Sequence, residues 1–325
     1  MDDRVTLRAI RLREDLPALV EVANLAFAAE GVERRASQKV MAGWFGHPDD
    51  QFDAARDVVV AEADGAVLAY AVGGWEEDND GGRNYAIACQ VRPDWRRRGI
   101  GSALQEHMES HHRGLAAGHP PGMLKRMDVW ADAREVSKVA LLERFGYAAV
   151  RWWAQMDRPL TDLPAAVLPA GLEFRPAREE LLRRYWETDV EVFRDHWGGV
   201  DDTETALAEL RDDPRRDISL WAIVHEGDEI VALASNRIDH AENELLGVRR
   251  GWINGVAVRR AWRRRGVGSA VVAESMRLLA GAGMQTSRLG VDTDNAHGAM
   301  AIYERLGFRE VAGGAVYRKP LEMDR

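Results

Sequence analysis

The chain has 325 residues, 46% of them apolar, with a net charge of −9, one cysteine and nine scattered histidines. That length suits two domains of roughly 150 residues each, and the negative charge disfavours a nucleic-acid partner. No run reaches the roughly 20 apolar residues of a membrane helix, the opening MDDRVTLRAIRLRED lacks a secretory pattern, and Cys89 alone builds neither a disulfide nor a cysteine-rich zinc site, so a cytoplasmic protein with no metal and no membrane partner is expected.

In chain order, LRAIRLREDLPALV opens the first half, and DVVVAEADGAVLAYAVGGW predicts a hairpin. The loop EEDND (76–80) reads as a solvated turn. VRPDWRRRGIGSAL (91–104) then places an arginine- and glycine-rich turn ahead of a helix, and LLERFGY (141–147) closes a second helix. DRPLTDLPAAVLPAG (157–171) holds three prolines, which lack a backbone donor and favour extended linkers. The boundary belongs there, giving a first domain over 1–156, a linker over 157–170 and a second domain over 171–325.

From Leu172 the same order returns. Leu172–Pro176 predicts a strand. Leu182, Trp186, Val190, Phe193 and Trp197 recur every three to four residues and predict an amphipathic helix. LWAIVHEGDEIVALASNRI predicts two strands around a Glu-Gly-Asp turn, and GWINGVAV another strand. SAVVAESMRLLAGAG predicts a helix, SRLGVDTD a strand, AHGAMAIYERLG a helix and AVYRKPL a closing strand. Both halves read as α/β, each a mixed sheet with flanking helices.

The halves repeat one another. VRPDWRRRGIGSAL matches VRRAWRRRGVGSAV (258–271) at ten of fourteen positions, and LLERFGY matches IYERLGF (302–308). The spacing is too long for a solenoid repeat, so this is a duplicated domain. Each Arg/Gly turn lies between a strand and a helix. Glycine lets the backbone turn tightly and approach a ligand, and the helix end offers free N–H groups and a positive dipole. One such turn is also what an ordinary strand-to-helix connection with solvated arginines looks like; two in matching places point to a small phosphorylated ligand. The three-glycine dinucleotide spacing and the Gly-Lys-Ser/Thr of a P-loop are both missing.

Arg263-Arg264-Arg265-Gly266-Val267-Gly268 resembles the pyrophosphate signature of the GNAT N-acetyltransferases, (Gln/Arg)-x-x-Gly-x-(Gly/Ala), and Arg96-Arg97-Arg98-Gly99-Ile100-Gly101 is its duplicate. The resemblance covers nearly the whole chain. It implies two GNAT-type domains in tandem, each a mixed, mostly antiparallel sheet with flanking helices, and acetyl-CoA as co-substrate. It places that co-substrate on Val256, Ala257, Val258, Arg263, Arg264, Arg265, Gly266, Val267, Gly268, Ser269 and Asn295. A weaker copy of the site takes in Val91, Arg96, Arg97, Arg98, Gly99, Ile100 and Gly101. The sheet is expected to splay after the strand before the turn and leave a slot for the thioester.

Tyr303, four residues before Gly307-Phe308, is similar in place to the GNAT general acid, which protonates the departing thiolate. A core tyrosine would occupy the same place. Asn295 precedes it by eight residues, where seven is common in the family. In the first half Leu142 takes the place of Tyr303 and Arg134 falls in the asparagine region, which implies a non-catalytic partner domain. The tandem layout is similar to that of the mycothiol synthases, whose glutamate in the strand before the turn corresponds here to Arg250. The general base is therefore open among Glu242, Glu244, Asp292 and His240, each also readable as a solvated loop residue. Trp186 and Phe193 read as core, while Asp195 and His196, with Trp197 beside them, are acceptor-pocket candidates. The expected activity is acetyl transfer to a primary amine of a small molecule. A non-enzymatic acyl-CoA-binding module is the alternative from another class.

Overall fold

The computed structural model describes residues 2–322 except 195, 199 and 295–297. The chain forms two compact units, one running to Arg151 and joined by Gly314 onward, the other Trp152–Gly313.

In the first unit β1 (Thr6–Ala9) leads into α1 (Leu12–Ala29), whose Leu19, Val22, Ala23 and Ala26 bury one face at helical period. Two helices that hydrophobic periodicity did not reveal follow, α2 (Gln38–Phe45) and the short α3 (Ala54–Asp57). Ser37 and Asp53 start them by accepting from the N–H groups of Val40 and Ala55. The expected hairpin forms from β2 (Val58–Ala63) and β3 (Ala66–Glu77). β4 (Arg83–Val91) then pairs with β3, and α4 (Ile100–Ala117) crosses to β5 (Lys125–Asp132) and α5 (Val136–Arg144). β4 and β5 run parallel and pair only from Arg83 to Ala86, after which they part.

The next strand, β6 (Ala148–Pro159), counts with the second unit from Trp152 on. There β7 (Glu173–Arg175) precedes α6 (Leu182–Phe193) and α7 (Glu204–Asp212), and β8 (Ala222–Glu226) and β9 (Glu229–Ala234) form the expected hairpin. α8 (His240–Leu246), capped by the Asp239 side chain, makes helix of residues whose polarity is equally that of a solvated loop. The single strand expected over GWINGVAV is two, β10 (Arg250–Trp252) and β11 (Ala257–Val258). α9 (Val267–Gly281), β12 (Thr286–Asp292), α10 (Ala299–Arg305) and β13 (Arg309–Pro320) complete the chain. The helix expected after Leu172 is α6, but its buried side is Leu182, Tyr185, Thr188, Val190 and Val192, and Trp186 is only half-buried. Burial follows what the neighbouring elements present, here Tyr185 against Trp221, just before β8, at 6.1 Å between ring centroids.

The compact units and the sequence repeats differ in their last strand. The end of β6 pairs antiparallel with β12, and the end of β13 pairs antiparallel with β5. Each closing strand thus lies in the unit built by the other repeat. The charges supply a physical reason. Asp157 and Arg318 hold matching places, each followed by a basic residue and Pro-Leu. Arg318 stands opposite Asp128 and bonds it at 2.6–2.7 Å, while Asp157 stands opposite Arg288 and bonds it at 2.6–2.8 Å. Were each repeat to close on itself in the same register, aspartate would face aspartate and arginine would face arginine. Like charges directly opposite destabilise a strand pair, so the observed exchange is the arrangement these four residues favour.

Candidate active site

The two Arg/Gly turns fold alike. Arg97 and Arg264 have φ of 62° and 59°, and Gly99 and Gly266 follow at 80° and 85° as the residues preceding α4 and α9. The left-handed backbone at those positions is what glycine permits without strain. Neither helix has a side-chain cap, so the first-turn N–H groups are open to an anion. Ile100 and Val267 are buried core anchors with only their backbone at the turns, and Ala257 is buried on β11. Val256, Val258, Gly268 and Ser269 are half-buried around the second turn.

The arginines divide by role. Arg264 and Arg265 are exposed and have no ion-pair partner among the described residues. Arg263 instead braces the strand: its Nε donates to the Val258 carbonyl at 2.8 Å and its Nη2 to the Val192 carbonyl at 3.4 Å. In the first unit Arg96 is held by Glu30, and Arg98 lies over the Trp95 ring at 4.5 Å and 3.5 Å from Asp2. A cavity of about 350 Å³ opens there, lined by Val91, Arg96, Arg97, Gly99, Ile100 and Gly101, with Leu142 in its wall and Arg98 outside it. A pyrophosphate and an extended arm suit such a site: uncapped helix N–H groups, the exposed Arg97 without an ion-pair partner among the described residues, and a gap where β4 leaves β5.

In the second unit the strand before the turn is broken by an extra residue. Trp252 faces Arg237 and Ala257 faces Leu233, so five steps on one strand meet four on the other. The surplus is taken up near Gly255, at φ 49°, where Ser235 N–H bonds to the Asn254 carbonyl. β10 stays beside β12 while β11 joins β9, which is the splay expected after this strand. In the first unit β3 and β4 pair without a slip from Ala69–Val91 to Glu77–Arg83. The two halves therefore share the turn but not the bulge.

Tyr303 lies on α10, 9% exposed, its ring 6.0 Å from Phe308, and its hydroxyl has no hydrogen-bond partner among the described residues. Burial pushes its phenol up to about 12, so it is a neutral donor at ordinary pH. Its counterpart Leu142 is buried at 1%. Asn295 and Asp195 lie outside the described residues. His196 packs on Phe193 at 4.6 Å between ring centroids, and Trp197 meets Trp153 edge-on at 5.4 Å.

The four carboxyl and imidazole groups considered as bases have other settings. Glu242 is buried against Arg250 at 3.4 Å, and Asp292 accepts from Asp294 N–H at 3.0 Å. His240 and Glu244 are exposed on α8. A fifth group, Asp189, went unnoticed in the sequence. It sits on the inner side of α6 between Tyr185 and Val192, and its Oδ1 is sealed from solvent with no hydrogen-bond partner. A Cβ placed on Gly255 would stand 3.0 Å from that Oδ1 and 3.3 Å from Ser235 Oγ, so the carboxyl faces the bulge. Its signal was legible only once the buried stripe was known: an aspartate where the pattern calls for an apolar residue.

Residues 178–308 match the model of the acetyltransferase (GNAT) family, and residues 54–149 match a second acetyltransferase (GNAT) domain model. A mycothiol acetyltransferase of Streptomyces bingchenggensis is 30% identical over 80% of this chain and 80% of its own. Among solved structures, a GCN5-related N-acetyltransferase from Sphaerobacter thermophilus superposes with a TM-score of 0.76 at 24% identity, covering 100% of this chain and 98% of that one. A tandem GNAT protein from the clavulanic acid biosynthesis pathway does so with a TM-score of 0.72 at 16% identity, over 99% and 100%.

Proposed function

The chain belongs to the GNAT acetyltransferase family, as two GNAT domains in tandem with acetyl-CoA-dependent acyltransferase activity, and from that premise we propose that it acetylates a primary amine of a small molecule in its second domain. The observation that carries this reading is the co-occurrence there of an uncapped Arg/Gly turn, a bulged strand and the unpartnered hydroxyl of Tyr303. Acetyl-CoA supplies an acyl group already activated as a thioester. The N–H groups at the start of α9, with Arg264 and Arg265, are suited to hold its pyrophosphate, and Val256 and Val258 to flank its arm. Asn295 is retained in the proposal as a residue near that arm. Tyr303 donates its proton to the sulfur that leaves as the amine nitrogen attacks.

The first domain is proposed to be a non-catalytic partner. Its cavity suits a CoA-type ligand, but Leu142 carries no proton and its strand carries no bulge. The name of the curated relatives supports a small-molecule amine as acceptor. The test is thiol release from acetyl-CoA with a panel of amines, amino sugars, polyamines and peptides that includes the acceptor of the mycothiol acetyltransferases. Turnover with at least one small amine is expected. Acetyl-CoA binding without turnover on any of them would instead identify a binding module.

A further inference from the structure

We propose that Asp189 is the general base of the second domain, taking the proton from the acceptor ammonium at the bulge around Gly255. This rests on the reading of that domain as an amine acetyltransferase.

A carboxylate without water, hydrogen bond or counter-charge is among the most expensive groups to bury. Asp189 comes near that state: the residue is half-buried, but its Oδ1 is sealed and neither oxygen has a hydrogen-bond or ion-pair partner among the described residues. Loss of hydration alone pushes its carboxyl up to about 7. The charged groups around it are engaged elsewhere. On α6 itself, Glu191 pairs with Arg259, and Arg183 pairs with Glu204 of α7 on the surface. Arg263, from the turn, bonds the Val192 carbonyl. Against the carboxyl, the strands present Gly255 and the hydroxyl of Ser235, neither of them charged. Nothing structural is gained by the carboxyl where it stands.

The place is as telling as the cost. The carboxyl abuts the strand interruption, a backbone feature that the paired strands β3 and β4 of the first half lack. In the repeat, Leu16 matches Leu181 and Asn24 falls where Asp189 stands; Asn24 is fully employed, bonding both the N–H and the carbonyl of Ala36. The half without Tyr303 thus also lacks the free carboxyl. In the reaction, Asp189 accepts one proton from R–NH3+ and frees the nitrogen lone pair. The C–N bond forms as the C–S bond breaks, Tyr303 gives its proton to sulfur, and the second proton lost by nitrogen restores the tyrosine. The proton on Asp189 passes to solvent, so the balance is amide, CoA thiol and one H+. A base whose ionisation lies near neutral pH is matched to that task.

The experiment measures thiol release against pH for wild type, Asp189→Asn and Tyr303→Phe, using the fastest amine from the panel, with acetyl-CoA affinity by calorimetry and thermal melts alongside. Asp189→Asn should lower kcat about 10²- to 10⁴-fold near pH 7, remove the acid limb of the profile, leave acetyl-CoA affinity within about twofold, and raise Tm. Its rate on an acceptor of low amine pKa, neutral at the start, should fall far less. A purely structural aspartate would predict a lower Tm and equal losses on both acceptors, which would overturn the assignment. Turnover by Asp189→Asn at the wild-type rate, with the acid limb intact, would overturn it alone. Absence of turnover by wild type on every amine would overturn the functional reading and this assignment together.

Discussion

Tyr303 and Asp189 are both polar groups held in apolar surroundings, and burial raises the ionisation of both, to values that suit opposite roles. The phenol, raised to about 12, keeps its proton for donation. Tyr303→Phe keeps the ring and its packing on Phe308, so stability should change by less than about 1 kcal/mol while kcat falls about 10²- to 10⁴-fold. Unchanged turnover in that variant would assign the proton to water or another residue. For Asp189, the ordinary value of 3.8 applies in the unfolded chain and about 7 in the folded one. The folded state therefore holds more protons between those values, and stability falls as pH rises through that window. Asp189→Asn does not titrate, so its Tm advantage over wild type should open between pH 4 and pH 7 and level off above. A gain independent of pH would mean that the carboxyl is solvated.

At the scale of elements, the turn before α9 and the bulge before it are separate devices. The turn needs Gly266 for its backbone, at φ 85°, so any larger residue there strains the chain whether or not a ligand binds. The informative substitutions are at the exposed arginines. Arg264→Ala should weaken acetyl-CoA binding about tenfold or more, by loss of a charge-assisted contact worth about 1.5–3 kcal/mol, with the melting temperature unchanged. Calorimetry giving wild-type affinity would remove Arg264 from the site. The strand before the turn could be found in GWINGVAV because apolar residues flank the Asn254-Gly255 pair on both sides. Its interruption could not, because an extra residue in a strand is defined by the partner strand, and that partner lies about twenty residues upstream in the β8–β9 hairpin.

For the molecule as a whole, the closing strands carry a testable charge pairing. Arg318→Asp sets two carboxylates opposite each other on β13 and β5 and should cost on the order of 3 kcal/mol in urea unfolding. Adding Asp128→Arg restores opposite charges and should recover a substantial part of that loss. A double variant whose losses simply add would show that these charges do not direct the pairing. What the sequence alone determined was the duplication, the two Arg/Gly turns, the asymmetry of Tyr303 against Leu142, and most elements, because these are read from periodicity and from neighbours in the chain. The partner of each closing strand, the bulge at Gly255, the bracing role of Arg263 and the unpartnered carboxyl of Asp189 on α6 depended on the tertiary structure. Each of those is a relation between segments far apart in sequence, and in two similar repeats the chain pattern by itself offers each strand two equivalent partners. The choice between them is made by contacts such as Arg318 with Asp128 and Asp157 with Arg288, which exist only once the sheets assemble.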